Sequence, residues 1–126
     1  MTTLTSTTPK TRADLVNEAL ENLGILGAGQ VAAAEDFEAV DGKVEQVVAW
    51  LEETEIFNFD NSIDEIPLAV FSPVAVILAD RAAFKFGMAG VPTSPSNPNP
   101  VQSAIDQIVL ATYGRPTGQA QKTEYF

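Results

Sequence analysis

The chain of 126 residues contains neither cysteine nor histidine. The absence of cysteine excludes disulfides and thiol chemistry, and it fits synthesis inside a cell. The absence of histidine removes the commonest general base and the commonest metal ligand, so Ser-His, Cys-His and His-zinc sites are excluded. Carboxylate, lysine, serine, threonine or tyrosine chemistry remains, but no carboxylate pair is singled out by its position. We therefore predict that the chain is not an enzyme and has no cofactor and no metal site.

Basic residues are scarce, since 7 lysines and arginines stand against 17 aspartates and glutamates and give a net charge of −10. The imbalance is concentrated between Glu35 and Glu65, where Lys43 is the single basic residue. A chain of this charge is a poor ligand for the phosphate backbone of DNA. An acidic surface beside DNA repels it, which suits a passage through which DNA moves without binding. The alternative is that the acidic segment only keeps the chain soluble.

Long apolar runs are also missing, so no segment is predicted to span a membrane. The first ten residues, "MTTLTSTTPK", lack the apolar stretch of a secretory signal and predict a flexible arm. We expect a single helical domain over residues 11–114, preceded by this arm over residues 1–10. An extended C-terminal tail follows over residues 115–126.

The first helix is predicted over "TRADLVNEALENLG". Thr11 is its expected N-cap, with Asp14 in the capping-box position, and Gly24 is its expected stop. The glycine-rich connector "GILGAG" follows, and we expect its Ile25 and Leu26 to fold back onto the core. Its glycine order and its position after a helix argue against a nucleotide-binding loop.

The second helix is predicted from Glu35 to Glu53, because apolar residues recur there at helical spacing. Trp50 is expected in the core or at its edge, with an interface anchor as the alternative. Gly42 either lets another backbone approach or is simply tolerated. The apolar stripe consists of Phe37, Val40, Val44, Val47, Val48 and Leu51.

A long loop is expected after the second helix, with a small hairpin or a 3₁₀ turn as local options. Its "DNSIDE" segment, residues 60–65, has three carboxylates but neither the spacing nor the glycine of a calcium-binding EF-hand. We interpret it as a solvated turn and leave open whether it binds a cation.

The third helix is predicted to begin with Ser72 as its cap and Pro73 as its first residue, and to end at Gly87. Arg81 and Lys85 lie one turn apart on it. We favour a solvated stripe, or pairing with the acidic second helix, over contact with a partner's carboxylates.

The fourth helix is predicted to begin with Asn99 as its cap and Pro100 as its first residue, and to end at Gly114. Its inward face is predicted to consist of Val101, Ala104, Ile105, Ile108 and Leu110. The fold class is therefore all-α: a small four-helix bundle with a long loop after helix 2, a flexible N-terminal arm and an extended C-terminal tail.

Two segments carry a resemblance. The stretch "ADLVNEALENLGILGAGQVAAAEDFEAVDGKVEQVVAWLEE", residues 13–53, resembles the head-to-tail adaptor proteins of tailed bacteriophages, also called connectors or tail accessory factors. The later "IPLAVFSPVAVILADRAAFKFG", residues 66–87, fits the same family. The first match rests on Leu15, Val16, Glu18, Ala19, Leu20, Leu23, Gly24, Leu26, Ala28, Gly29, Ala34, Val40, Val44, Val47 and Trp50.

The resemblance implies a structural virion protein at the head-tail junction, assembled in the host cytoplasm. Such adaptors form a ring, commonly dodecameric, beneath the portal protein. The ring extends the DNA channel, retains packaged DNA and gives the tail or stopper protein a docking platform. DNA passes through it without specific binding. In this setting the acidic residues Glu45, Glu52, Glu53 and Glu55 are candidates to line the channel.

The C-terminal tail, "GRPTGQAQKTEYF", ends on two aromatic residues. In the family it resembles, this segment reaches to the portal or to a neighbouring subunit. Terminal rings suit such anchoring because they bury much apolar area and freeze few rotamers. The residues expected to make these contacts are Arg115, Pro116, Lys122, Tyr125 and Phe126.

Two other classes of function stay open. One is another neck component, such as a stopper or tail-completion protein, which is usually richer in β-structure. The other is a cytoplasmic helical protein-interaction module without a portal partner, which would form a low-order oligomer.

Overall fold

The computed structural model describes residues 9–27, 29–60 and 63–113. Over these ranges the chain forms four α-helices and one short 3₁₀ helix, and no strand is present there. The all-α expectation is therefore confirmed. The described chain begins beside the bundle, because the backbone of Lys10 exchanges two hydrogen bonds with that of Ile66, at N–O distances of 3.0 and 2.8 Å.

Helix α1 spans Arg12–Asn22 and begins at the predicted cap. The hydroxyl of Thr11 accepts a hydrogen bond from the Asp14 amide, and the Asp14 carboxylate accepts one from the Thr11 amide. Both ends of this capping box satisfy backbone donors that the helix leaves unpaired. Gly24 follows with φ of +76°, the left-handed conformation of a helix stop. Leu26 folds back and is buried, as predicted. Ile25 is 38% exposed, so its predicted position in the core was wrong.

Helix α2 spans Ala34–Glu53, one residue longer than predicted. Four members of its apolar stripe are fully buried, while Phe37 and Val48 lie at the edge of the core. Trp50 also lies at the core edge. No atom lies within 4 Å of a Cβ built on Gly42, so this glycine accommodates no neighbouring backbone. The buried members are Val40, Val44, Val47 and Leu51.

The described parts of the loop after α2 cover residues 54–60 and 63–67. Phe59 anchors this loop to the core, and the Phe59 amide donates a hydrogen bond to the Glu52 carboxylate at 3.2 Å. Asp64 accepts a hydrogen bond from the backbone amide of Arg12, so one carboxylate of the "DNSIDE" segment ties the loop to the start of α1. Within the described residues, no three acidic side chains are grouped closely enough to hold a metal ion.

Helix α3 spans Leu68–Ala82, so the predicted start at Ser72 and Pro73 was wrong. Pro73 lies inside the helix, where it removes one hydrogen bond, the bond to the carbonyl of Ala69. Ala69 is exposed, and water can take the place of the missing donor. Burial of Val70 and Phe71 in the turn before the proline offsets this loss. A 3₁₀ helix, Ala83–Phe86, continues the chain to Gly87, which has φ of +76° and is the predicted stop.

Helix α4 spans Pro100–Tyr113, and the Asn99 side chain accepts a hydrogen bond from the Gln102 amide, as its predicted role as cap requires. Its buried residues are Ala104 and Ile108. Leu110 is 48% exposed, so its predicted inward position was wrong. The reason is geometric, since a residue two positions beyond Ile108 lies about 200° away around the helix axis.

The most buried helix is α3, which packs against α1, α2 and α4. Helix α4 makes its main helix contacts with α3. The buried core contains no polar or charged side chain among the described residues, so apolar burial holds the bundle together. This arrangement leaves both sides of α2 available at the surface.

Candidate interaction surfaces

The tail residues proposed as contacts lie outside the described residues. These are Arg115, Pro116, Lys122, Tyr125 and Phe126. The candidate surfaces of the described residues lie on the helical bundle, whose last described residue, Tyr113, directly precedes the tail.

Helix α2 presents two sides with opposite chemistry. In an α-helix, successive residues are 100° apart, so positions 43 and 45 lie about 200° apart around the axis. Glu45 faces the side occupied by α1, where it lies 3.7 Å from the Arg12 guanidinium. Lys43 faces the side occupied by the 3₁₀ helix after α3, where its ammonium lies over the ring of Phe84. At positions 43 and 45, the two sides of this helix therefore carry opposite charges.

The acidic flank, defined by Glu38, Asp41 and Glu45, lies on the α1 side of α2. Arg12 is its cation: the guanidinium donates a hydrogen bond to the Asp41 carboxylate at 2.7 Å and another to the Asp41 backbone carbonyl at 3.2 Å. The hydrogen bond to Asp41 is the main reason why the pKa of Arg12 is raised above its usual value. The Glu45 side chain is 86% exposed, so most of this carboxylate faces solvent.

The four candidates for a channel lining do not form a single row. Glu45 and Glu52 are two helical turns apart and share one side of α2, but Glu52 also accepts the amide of the loop residue Phe59. Glu53 is exposed and lies 100° further round the helix. Glu55 lies beyond the helix end, with φ of +60°. The four candidates thus form two groups: Glu45 and Glu52 lie on one side of α2, and Glu53 and Glu55 lie at its exposed end.

The opposite side of α2 forms a cation–aromatic flank with the end of α3, defined by Lys43, Trp50, Arg81, Phe84 and Lys85. The Lys43 ammonium lies 4.9 Å from the centre of the Phe84 ring. The Arg81 guanidinium lies 5.2 Å from the centre of the Trp50 ring. Phe84 is 63% exposed, and Lys85 beside it is exposed. Three cations and two rings therefore share one surface of an otherwise acidic chain.

Sequence reasoning missed this flank because its members come from two helices far apart in the chain. The ion pairs between described residues all involve Arg12, so of the two options favoured for Arg81 and Lys85 the pairing with acidic residues of α2 is not formed there. Lys85 is exposed, as the solvated stripe requires. Arg81 contacts α2 through an aromatic ring instead. A sequence signal was present, since Lys43 and Trp50 are seven residues apart and lie on the same face of a helix.

The open cleft beside the Met88–Val91 segment, of about 590 Å³, has Asp80 as its ionisable lining residue. The Asp80 carboxylate accepts a hydrogen bond from the Val91 amide at 3.1 Å. It also lies 2.7 Å from the position of a Cβ built on Gly90, so a side chain there would displace the carboxylate from the Val91 amide. Asp80 thus holds the loop between α3 and α4, which is a structural role.

The end of α4 exposes apolar side chains next to the start of the tail. Val109, Leu110 and Tyr113 are 37%, 48% and 64% exposed. The Tyr113 hydroxyl donates a hydrogen bond to the carbonyl of Glu55, which ties the helix end to the loop after α2. In the described part of the chain, no helix combines the length and the apolar content needed to cross a bilayer.

Comparison of the chain with protein-family models, with curated proteins and with solved structures finds no match.

Proposed function

We propose that this chain is a structural virion protein, a head-to-tail adaptor that forms a ring beneath the portal of a tailed bacteriophage. In this role it extends the DNA channel, retains packaged DNA and gives the tail or stopper protein a landing surface. The proposal rests on the resemblance of residues 13–53 and 66–87 to that family.

One observation carries the proposal furthest. Nine apolar positions of the resemblance belong to one buried core that includes residues of α1 and α2, so the pattern describes contacts and is more than a composition bias. They are buried at 8% exposure or less: Leu15, Val16, Ala19, Leu20, Leu23, Leu26, Val40, Val44 and Val47.

The all-α fold bears on the alternatives. Stopper and tail-completion proteins are usually richer in β-structure, and the described residues contain no strand. This favours an adaptor over these other neck components. A cytoplasmic helical interaction module has the same fold class, so partner binding is the property that discriminates it from an adaptor.

The acidic end of α2 supports passage of DNA. Glu53 and Glu55 are exposed, and the chain as a whole carries a charge of −10. Carboxylates that line a channel repel phosphates and keep DNA from binding to the wall. We propose Glu53 and Glu55 for this position, since both lie clear of the Arg12 ion pairs.

The first experiment is mass determination by light scattering, for the protein alone and then with portal rings encoded beside it. We expect a monomer at micromolar concentration that joins the portal as a stoichiometric ring. A stable dimer or tetramer that ignores the portal would instead favour the interaction-module alternative. Removal of Tyr125 and Phe126 is expected to weaken portal binding, with circular dichroism as the check that the bundle is intact.

The channel role is tested by the double variant Glu53→Lys and Glu55→Lys in assembled particles. We expect altered DNA retention or ejection, because lysines in the wall attract phosphates. Glu18→Lys with Glu21→Lys on α1 gives the same change of net charge away from this helix end and is the control. Equal behaviour of the two variants would leave the acidic segment with a solubility role.

A further inference from the structure

The two flanks of α2 are complementary surfaces exposed on one molecule. The acidic flank offers the exposed carboxylates of Glu38 and Glu45. The cation–aromatic flank offers Lys43 over the exposed Phe84 ring, Arg81 over Trp50, and the exposed Lys85. We infer that the cation–aromatic flank of one copy docks on the acidic flank of a second copy. The inference rests on the proposed ring and names the surface that joins its subunits.

Charge complementarity is the first argument for a second copy as the occupant. The three cations of the flank lie outside the ion pairs formed by the described residues. Two of them contact aromatic rings and keep their charge available to a partner. The Glu45 carboxylate, 86% exposed, is available on the other flank. Opposite charges placed across an interface fix its register and disfavour wrong partners.

The aromatic rings are the second argument, because they give the flank an apolar centre. Phe84 is 63% exposed although it is a large apolar side chain, and Trp50, under the Arg81 guanidinium, lies at the core edge. Aromatic residues and arginine are enriched at the centres of protein interfaces. A nucleic acid is disfavoured as the occupant because the chain carries a net charge of −10.

The placement of the flanks determines the symmetry of the contact. They point away from α2 in directions about 200° apart, as the positions of Lys43 and Glu45 require. In a two-fold dimer, each contact between the two kinds of flank occurs twice, so each copy would have to turn both of its flanks toward the same partner. Flanks on nearly opposite sides of α2 cannot do this. Each copy therefore contacts one neighbour through each flank, which is a head-to-tail contact that yields a closed ring or an open filament.

This contact has a consequence for the candidate channel residues. Glu45 is occupied by the neighbouring subunit in such an assembly. Glu53, about 80° further round the helix, and Glu55, beyond the helix end, remain outside the contact. Of the four channel candidates, these two are left to face an enclosed channel, since Glu52 accepts the Phe59 amide.

The test compares two double variants of equal net charge. In the flank variant, Glu38→Lys and Glu45→Lys reverse the acidic flank. In the control, Glu21→Lys and Glu65→Lys reverse two exposed carboxylates elsewhere. Each change replaces two acids by two bases, so both variants carry −6 in place of −10. Circular dichroism verifies that both are folded.

Sedimentation velocity over a concentration series that extends well above the micromolar range, where the wild type is expected to be monomeric, then measures self-association of each protein without the portal. We expect the control to associate at least as strongly as the wild type, because it repels itself less. The flank variant is expected to associate at least about tenfold more weakly, since it places like charges in contact. Equal association of the flank variant and the control would overturn the inference.

A charge-swap rescue provides the second test. Lys43→Glu with Lys85→Glu makes the other flank acidic, and this variant alone is expected to lose association. When it is mixed in equal amounts with the flank variant, association is expected to return. Copies of the two variants then alternate, and each contact is again between opposite charges. No restoration on mixing would contradict the proposed pairing.

Portal binding separates this inference from the proposed function. If the wild type and the flank variant form the same stoichiometric ring on portal rings, the adaptor function stands and the subunit contact is wrong. If the wild type ignores the portal but associates through its flanks, the contact stands and the adaptor function is wrong. A wild type that stays monomeric in both settings would overturn both.

Discussion

Replacement of Ile108 by alanine tests how α4 is held on the bundle. This side chain is fully buried, and Ala104 is the other buried residue of the helix. Helix α4 makes its main helix contacts with α3, so Ile108 is the principal apolar anchor between the two. Its loss is expected to release α4 before the remaining helices unfold.

The size of the effect follows from the atoms removed. The substitution deletes three carbon atoms, which at about 0.8 kcal/mol per methylene gives a transfer loss of about 2.4 kcal/mol. The cavity left behind adds to this, so we expect a loss of about 2–5 kcal/mol. A domain of this size has a free energy of unfolding of about 5–15 kcal/mol, so a wild type above the bottom of this range leaves the variant folded.

The assay combines urea denaturation with hydrogen exchange measured by mass spectrometry. Exchange is expected to increase most in α4 and least in α1. Leu110→Ala is the matched control, because it removes the same number of carbon atoms from a side chain that is 48% exposed. We expect that control to change stability by about 0.5 kcal/mol or less. Equal losses for both variants, or equal exchange in α1 and α4, would refute the reasoning.

Three further substitutions test local features of the chain by thermal denaturation. Thr11→Ala removes one half of the capping box and is expected to cost about 1 kcal/mol, with Thr11→Ser as the conservative control. Gly42→Ala is expected to stabilise the protein by up to about 1 kcal/mol, because the site is open and lies inside a helix. Gly90→Ala is expected to destabilise it, since the new Cβ would lie 2.7 Å from the Asp80 carboxylate. If both glycine variants changed the melting temperature in the same direction, the contrast between the open site at Gly42 and the crowded site at Gly90 would be wrong.

The starts of α1 and α4 could be predicted because their signals are local. The first helix begins with Thr11 and Asp14, and the fourth with Asn99 and Pro100. Each pair is close in sequence, and its contacts with the neighbouring backbone decide where the helix begins. The same logic failed for α3. There the Ser-Pro pair indicated a start, but burial of the preceding turn outweighed the single hydrogen bond that Pro73 removes.

The candidate surfaces were harder to predict than the helices. The acidic character of α2 was evident from composition, but the side on which each carboxylate lies depends on the packing of α1. The cation–aromatic flank brings Lys43 against Phe84 and Trp50 against Arg81. Such pairs depend on the way α2 and α3 cross, which no local sequence pattern specifies. The tail residues proposed as portal contacts stay a prediction.

The attachment of α4 through one neighbour has a consequence for the behaviour of the protein at high concentration. Because its main helix partner is α3, and residues 87–99 connect the two, α4 of one chain can occupy the same place on α3 of another. Such a domain-swapped dimer reproduces the packing of the monomer without a new surface. It would persist after dilution because exchange requires α4 to detach, which distinguishes it from reversible association through the flanks.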